Sequence, residues 1–138
     1  MTAILPAIGE KLPETRIGPF DAAALARYAE VSGDANPLHL DDALAAKIGF
    51  PAPPVHGMKL LAAFEPFLKA WRADLEIIGL SGKFVQPLLR GEAVTLSGRV
   101  LRASEEEVFV RLFAHGSARL PGVIGEATLR PRKGDTKT

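Results

Sequence analysis

The sequence predicts an α+β fold in which a curved antiparallel sheet of about five strands wraps around one long apolar helix. Three observations predict it. Helical spacing of apolar residues is confined to the first half of the chain. From Gly57 to Trp71, Met58, Leu60, Leu61, Phe64, Phe67 and Leu68 fall on nearly every face, as a helix enclosed by other structure requires. After Ala73 the apolar period changes to two, the mark of strands with one buried face. A single layer of this kind leaves one sheet face and one side of the helix uncovered, so dimerisation is expected.

The elements follow in chain order. A short strand is expected near Thr15 to Ile17. Asp21 is a good N-cap for a first helix, and Phe20 before it can staple onto Leu25. Ala22, Leu25, Ala26 and Ala29 recur at helical spacing, and Gly33 is the natural stop. A second, short helix is expected from Asp41 to Ile48, ending at Gly49. Asn36-Pro37 and the Pro-rich segment Phe50 to Pro54 read as fixed, extended loop. In the apolar helix, Pro66 has no N–H for the carbonyl of Ala62, which predicts a bend at Glu65-Pro66. An irregular strand over Ile77 to Val85 comes next. Regular alternation then runs over Val94 to Leu101, Val108 to His115 and Val123 to Arg130, with turns at Ser104-Glu105-Glu106 and Pro121-Gly122.

The 138 residues contain no repeat and no low-complexity linker, so residues 1–138 are expected to form one domain, with the polar, basic 131–138 as a flexible tail. Seventeen basic against sixteen acidic residues leave a formal charge of +1, which argues against a charge-driven nucleic-acid or membrane partner. Any phosphate-bearing ligand must be met by a local basic cluster. There is no cysteine, which excludes disulfides, thiolate nucleophiles and sulfur-ligated zinc, and suits the cytoplasm. No apolar run approaches the roughly 20 residues of a transmembrane helix. Met1 to Gly9 is apolar but short and lacks a basic start, so it does not read as a signal peptide.

The chemistry-bearing stretch is Ser32-Gly33-Asp34-Ala35-Asn36-Pro37-Leu38-His39, followed by Pro54-Val55-His56-Gly57-Met58. The Asn36-Pro37 corner brings a carboxylate and an imidazole to one side of a turn. Asp34 can hold a water or a proton there, and the His39 imidazole can accept or give one. Asn36 can fix the turn through its side-chain amide. Taken alone, Asp34 is equally well a turn residue and Asn36 an Asx corner. Gly57 stands where the apolar helix begins; its N–H, at the positive end of the helix dipole, suits a carbonyl oxygen that becomes negative during a reaction.

Together with Phe84-Val85-Gln86-Pro87-Leu88-Leu89-Arg90-Gly91-Glu92, these segments resemble the MaoC-like hydratases, over nearly the whole chain from about Gly18 to Arg130. The resemblance implies the hot-dog fold and the (R)-specific addition of water to a trans-2-enoyl thioester, carried by CoA or an acyl carrier protein, reversible as a dehydration. It carries the catalytic roles onto Asp34, Asn36 and His39 and the oxyanion donor onto the Gly57 N–H, with no substitution at these positions. No metal and no cofactor are implied, and a homodimer or dimer of dimers is expected. Lys59, Lys83 and Arg90 are candidates for the CoA phosphates.

The other polar residues receive plainer readings. His56 is expected to make a structural hydrogen bond at the helix start, His115 to lie at the surface, and Glu65 to face a gap at the Pro66 kink. Two alternatives stand beside the hydratase. A hot-dog thioesterase would use a carboxylate on the central helix, where Glu65 is the only acid; a non-catalytic thioester-binding subunit would be expected to lack the Asp34–His39 pair.

Overall fold

The computed structural model describes residues 4–132. Strand β1 (Lys11–Ile17) leads into helix α1 (Ala22–Ser32), a single 3₁₀ turn (Pro37–His39) and helix α2 (Asp42–Lys47). Two helices in series, α3 (Gly57–Ala62) and α4 (Phe64–Trp71), precede strands β2 (Leu75–Phe84), β3 (Val94–Ala103), β4 (Val108–His115) and β5 (Val123–Pro131). The strands form one antiparallel sheet in the order β1-β3-β4-β5-β2, which leaves β1 and β2 as its edges.

The core lies between the inner sheet face and the α3–α4 pair. Val94, Leu96 and Val100 of β3, Val108, Val110, Leu112 and Ala114 of β4, and Val123, Ala127 and Leu129 of β5 are all buried, as the two-residue period requires. Leu60, Phe64, Phe67 and Leu68 meet them from the helices, and Leu25 joins from α1. The pattern follows directly from alternation: a slip of one residue in any of these strands would expose its whole apolar set.

The helical first half is capped as expected. The Asp21 carboxylate accepts the Ala24 N–H at 2.8 Å, and Gly33 closes α1 at φ 81°, its N–H bonded to the Ala29 carbonyl. Asp41 caps α2 by accepting from Ala43 and Leu44. Five expectations need correction. The central helix is broken at Ala63 rather than at Glu65-Pro66, because the missing Pro66 donor and the bulk of its ring act one turn back, on the carbonyl of Ala62. The helix is also not enclosed on all sides: Glu65 and Lys69 form an exposed i,i+4 ion pair at 3.2 Å, and Met58 is 58% exposed. Strand β1 starts at Lys11 and β2 at Leu75, both earlier than read. Pro131, placed in the tail from sequence, pairs with Leu75 as the last residue of β5, and the Arg132 N–H bonds the Asp74 carbonyl; the rest of the expected tail, 133–138, lies outside the described residues.

Candidate active site

Asp34, Asn36 and His39 occupy the link between α1 and α2. Short local bonds fold it. The Asp34 N–H donates to Ser32 Oγ at 3.1 Å, and Asn36 Oδ1 accepts the Leu38 N–H at 3.0 Å to cap the 3₁₀ turn. That turn carries His39 back toward Asp34. One Asp34 oxygen, Oδ1, accepts the Asn36 N–H at 3.4 Å; the other, Oδ2, stands 4.0 Å from His39 Nε2. Four ångströms is too long for a direct hydrogen bond and right for one water touching both atoms. The Asp34 side chain is 50% exposed and that of His39 only 15%, so the pair sits at a boundary between solvent and core.

The other half of the site is the extended segment from Pro53 to His56. The Val55 N–H donates to the Leu88 carbonyl at 2.7 Å, the Arg90 N–H to the Pro53 carbonyl at 2.9 Å, and Pro54 faces Leu89 in an antiparallel bridge. The Pro54 carbonyl, fixed in this way, accepts a hydrogen bond from His39 Nδ1 at 2.8 Å. A carbonyl only accepts, so Nδ1 carries the proton and, in the neutral ring, Nε2 presents its lone pair toward Asp34. His56 returns the bond: its Nε2–H donates to the Asp34 carbonyl at 3.1 Å, and its ring stacks on that of His39 with centroids 3.9 Å apart and planes 23° apart. The structural hydrogen bond expected of His56 is thus made to the very residue that faces His39.

Beside the pair opens a cleft of about 460 Å³, lined by Leu38, Val55, Met58, Phe84, Val85 and other apolar side chains, with Asp34 and Gly57 at its wall. Gly57 is the first residue of α3, which begins with no side-chain cap, so its first amides are left for a ligand or water. The Phe84 ring lies against Gly57; a Cβ there would stand 2.9 Å from it.

Asp34, His39 and His56 bring ligand atoms within 4.8 Å of one another, a set that could suggest a metal. The geometry does not fit one. Metal bonds lie in the imidazole plane, and two stacked rings aim their in-plane lone pairs side by side rather than at one point. His39 Nδ1 and His56 Nε2 are moreover both engaged with carbonyls.

The basic candidates are dispersed. Lys59 Nζ lies over the Phe20 and Tyr28 rings, 5.0 and 5.3 Å from their centroids. Arg90 forms a fork with the Asp42 carboxylate, with Nη1–Oδ1 at 2.9 Å. The neighbour of Lys83 in β2, Gly82, faces Leu61 of α3, so Lys83 points from the opposite face of the sheet, away from the cleft. His115 is half-buried beside Phe113, and Glu65 is exposed on α4 rather than facing a gap.

Two residues that support the site carry no assignment from the sequence. Pro54 contributes only a backbone carbonyl, which no side-chain pattern reveals. Glu92 clamps the turn that holds Pro54: it accepts from the Leu89 N–H at 2.9 Å, the Ser117 N–H at 2.7 Å and the Ser117 hydroxyl at 2.5 Å. The hairpin carrying Ser117 can approach so closely because Gly116 and Gly122 lack side chains; a Cβ would stand 2.5 Å from Glu92 and 2.4 Å from Leu88 respectively. The available signal for Glu92 is a carboxylate one residue past a turn glycine, Gly91, in the segment that follows the apolar run Pro87-Leu88-Leu89.

The profile of the MaoC like domain matches residues 5–111, a span that includes every site residue above except Ser117 and the hairpin glycines. The chain belongs to the MaoC-like family. It is 37% identical over 117 residues to the (R)-specific enoyl-CoA hydratase of Aeromonas caviae, covering 80% of this chain and 86% of that one. It is 36% identical over 87 residues to the mitochondrial 3-hydroxyacyl-[acyl-carrier-protein] dehydratase of Arabidopsis thaliana, covering 63% of this chain and 51% of that one. The solved structure of the (R)-hydratase from A. caviae involved in PHA biosynthesis superposes with a TM-score of 0.81 at 30% identity, over 92% of this chain and 98% of that chain. The sheet wrapped on a helix is therefore the hot-dog fold of the MaoC-like proteins, as expected from the sequence.

The Glu92 clamp in this MaoC-like chain has a pH signature. Partial burial raises the Glu92 carboxyl, but its bonds from Leu89 and Ser117 outweigh that and hold it below its ordinary value of 4.5. A depressed carboxyl contributes stability that is fully present above 4.5 and is lost as pH falls through the lower folded value. Glu92→Gln is expected to cost about 1–2 kcal/mol at neutral pH, discounted for partial exposure. In thermal melts the gap to wild type should be widest above pH 4.5 and should close in acid; a gap that stays constant with pH would contradict the clamp.

Proposed function

We propose that the protein is a hydro-lyase that adds water to a trans-2-enoyl thioester, giving the (R)-3-hydroxyacyl thioester, and that runs in reverse as a dehydratase. The observation that carries this reading is the Asp34–His39 pair, with two acceptors 4.0 Å apart at the edge of an apolar cleft and His39 locked in the tautomer that leaves Nε2 free. Family membership and the named activities of the A. caviae and A. thaliana relatives support it.

In this reading the acyl chain lies in the cleft against Val55, Phe84 and Val85, with the thioester carbonyl toward Gly57. A water held by Asp34 Oδ2 and His39 Nε2 attacks C3 and yields one proton to the pair. The electrons of the double bond move to the thioester oxygen as an enolate, whose charge the Gly57 N–H and the start of α3 offset. The proton held by the pair then passes to C2, and the product is the substrate plus one water. Asn36 shapes the turn that presents His39. Lys59, Lys83 and Arg90 are engaged or turned away in the single chain, so a CoA phosphate contact from any of them needs Lys59 or Arg90 to exchange partners, or a second copy to bring Lys83 near.

The unit of activity is one domain spanning residues 1–138, working in the cytoplasm as a homodimer or dimer of dimers. Support for assembly comes from β2: it is an edge strand of ten residues, with Ile78, Phe84 and the adjoining Val85 exposed. Among the described residues, no helix is long and apolar enough to cross a membrane.

Three experiments follow. Asp34→Asn and His39→Gln keep size and polarity but not proton transfer, and each should reduce enoyl-CoA hydration, followed by loss of the conjugated thioester absorbance, by about 10²–10⁴-fold. Gly57→Pro removes the donor where His56, at ψ 128°, already has the backbone a following proline needs. Because any Cβ there meets the Phe84 ring at 2.9 Å, Gly57→Ala, which keeps the N–H, is its control. Turnover of the folded proline variant should fall about 10²–10³-fold below that of the alanine variant. A folded Asp34 or His39 variant that kept a tenth of wild-type turnover would refute the pair. Sedimentation of the active protein should give at least twice the 14.7 kDa chain mass; a monomer with full activity would refute the assembly.

A further inference from the structure

The scheme above leaves His56 without a chemical step, yet its placement is costly to maintain. It is the one buried polar side chain among the described residues, 1% exposed, and its Nδ1 has no hydrogen-bond partner there. A buried polar atom without a partner is tolerated only where something else is gained. One face of the ring stacks on His39 at 3.9 Å, and Tyr28 lies tilted against it at 4.7 Å. The charged and titratable groups that face it are Asp34 and His39 from the first loop, Tyr28 from α1 and Lys59 from α3.

The protonation state of His56 follows from its partners. The Asp34 carbonyl can only accept, so Nε2 carries the proton. Nδ1 has nothing to donate to, so it keeps its lone pair. Burial, the largest influence, lowers the pKa of His56 below 6.5, and the His39 charge acts the same way, against the bond to Asp34, which raises it. The neutral ring therefore persists where an exposed imidazole would begin to charge.

We propose that His56 is a positioning residue for the hydration: a neutral imidazole that ties the plane of His39 to the backbone of Asp34, holding the two side chains one water apart while a proton passes through them. The inference rests on the hydratase reading. His39 donates to the loop that carries His56, and His56 donates to the loop that carries Asp34, so neither loop can shift without breaking a bond held by the other. The stacked face resists rotation of His39 out of its bond to Pro54. When His39 holds the transferred proton, a neutral ring beneath it accommodates the charge, whereas a second imidazolium at 3.9 Å would oppose it.

Two variants separate the parts. His56→Gln keeps an amide donor near the place of Nε2–H and loses the ring; His56→Phe keeps the ring and loses the donor. Both are assayed with crotonyl-CoA across about pH 5.5 to 9, after melting curves establish that they fold. Wild-type turnover of crotonyl-CoA comes first, since its absence with every enoyl-CoA tried would sink the hydratase reading itself. With wild type active, His56→Phe should lose about 10²-fold in kcat with KM nearly unchanged, because a displacement near 1 Å costs that much and the ring does not line the cleft. The acid limb of its pH–rate profile should also move measurably, since two groups that share one proton respond to a change in their spacing. His56→Gln should recover about tenfold of the loss and restore the limb. The inference is overturned if His56→Phe turns over like wild type, or if both variants fall equally with the pH profile unmoved, as a purely structural role would give. If His56→Phe does not fold, imidazole ¹⁵N spectra of the wild type decide. They should show His56 neutral with its proton on Nε2, and neutral His39 with its proton on Nδ1; a proton on His56 Nδ1 would overturn the inference.

Discussion

Two hydrogen bonds, His39 Nδ1–H to the Pro54 carbonyl and His56 Nε2–H to the Asp34 carbonyl, join the loop after α1 to the loop before α3, and the geometry of the site depends on them. Each bond runs from a side chain of one loop to the backbone of the other. The first fixes which His39 nitrogen is free; the second fixes where the Asp34 backbone lies. A carboxylate and an imidazole on an exposed loop would otherwise sample many separations, and proton transfer through one water tolerates few.

The rest of the fold serves to hold those two carbonyls still. Pro54 is bridged to Leu89, the Leu89 turn is clamped by Glu92, and Glu92 is reached by Ser117 because the β4–β5 hairpin carries glycines where it meets Leu88 and Glu92. The sheet thus acts on the site through a relay of backbone contacts that ends at one oxygen. The apolar side of the site has a separate origin. The break at Ala63 divides the central helix, and α3 alone ends at the cleft, bringing Gly57 to its wall and Met58 to its rim. The exposed Met58, Phe84 and Val85 form an apolar rim around the opening, next to the free edge of β2.

Much of this was legible in the sequence, for physical reasons that differ by element. Strands β4 and β5 were readable because alternation is strict there, and β4 was expected with the bounds it has. The caps at Asp21, Gly33 and Asp41 are local chemistry and needed no tertiary knowledge. Strand β1 was read short because Lys11 to Glu14 has no alternation: it is an edge strand with a register shift between Leu12 and Thr15, so pairing with β3 rather than a buried face defines it. The proline bend was foreseen, but its place was set by the carbonyl that loses its donor. The motif pointed to Asp34, His39 and Gly57 as residues, whereas the Pro54 carbonyl, the Glu92 clamp and the stacking of His56 on His39 are products of tertiary contact. The three basic candidates show the same limit: composition offered Lys59, Lys83 and Arg90 equally, and only the packed chain separates one held by aromatic rings, one on the far sheet face and one paired with Asp42.

The most direct measurement is the identity of the product. Purified protein is incubated with a trans-2-enoyl-CoA in ¹⁸O-labelled water, and the thioester product is resolved by chiral chromatography with mass detection. A water held between Asp34 and His39 and added across the double bond gives (R)-3-hydroxyacyl-CoA with one ¹⁸O on C3 and no release of free CoA. An (S) product, label appearing in a free carboxylic acid, or CoA released as fast as substrate disappears would contradict it.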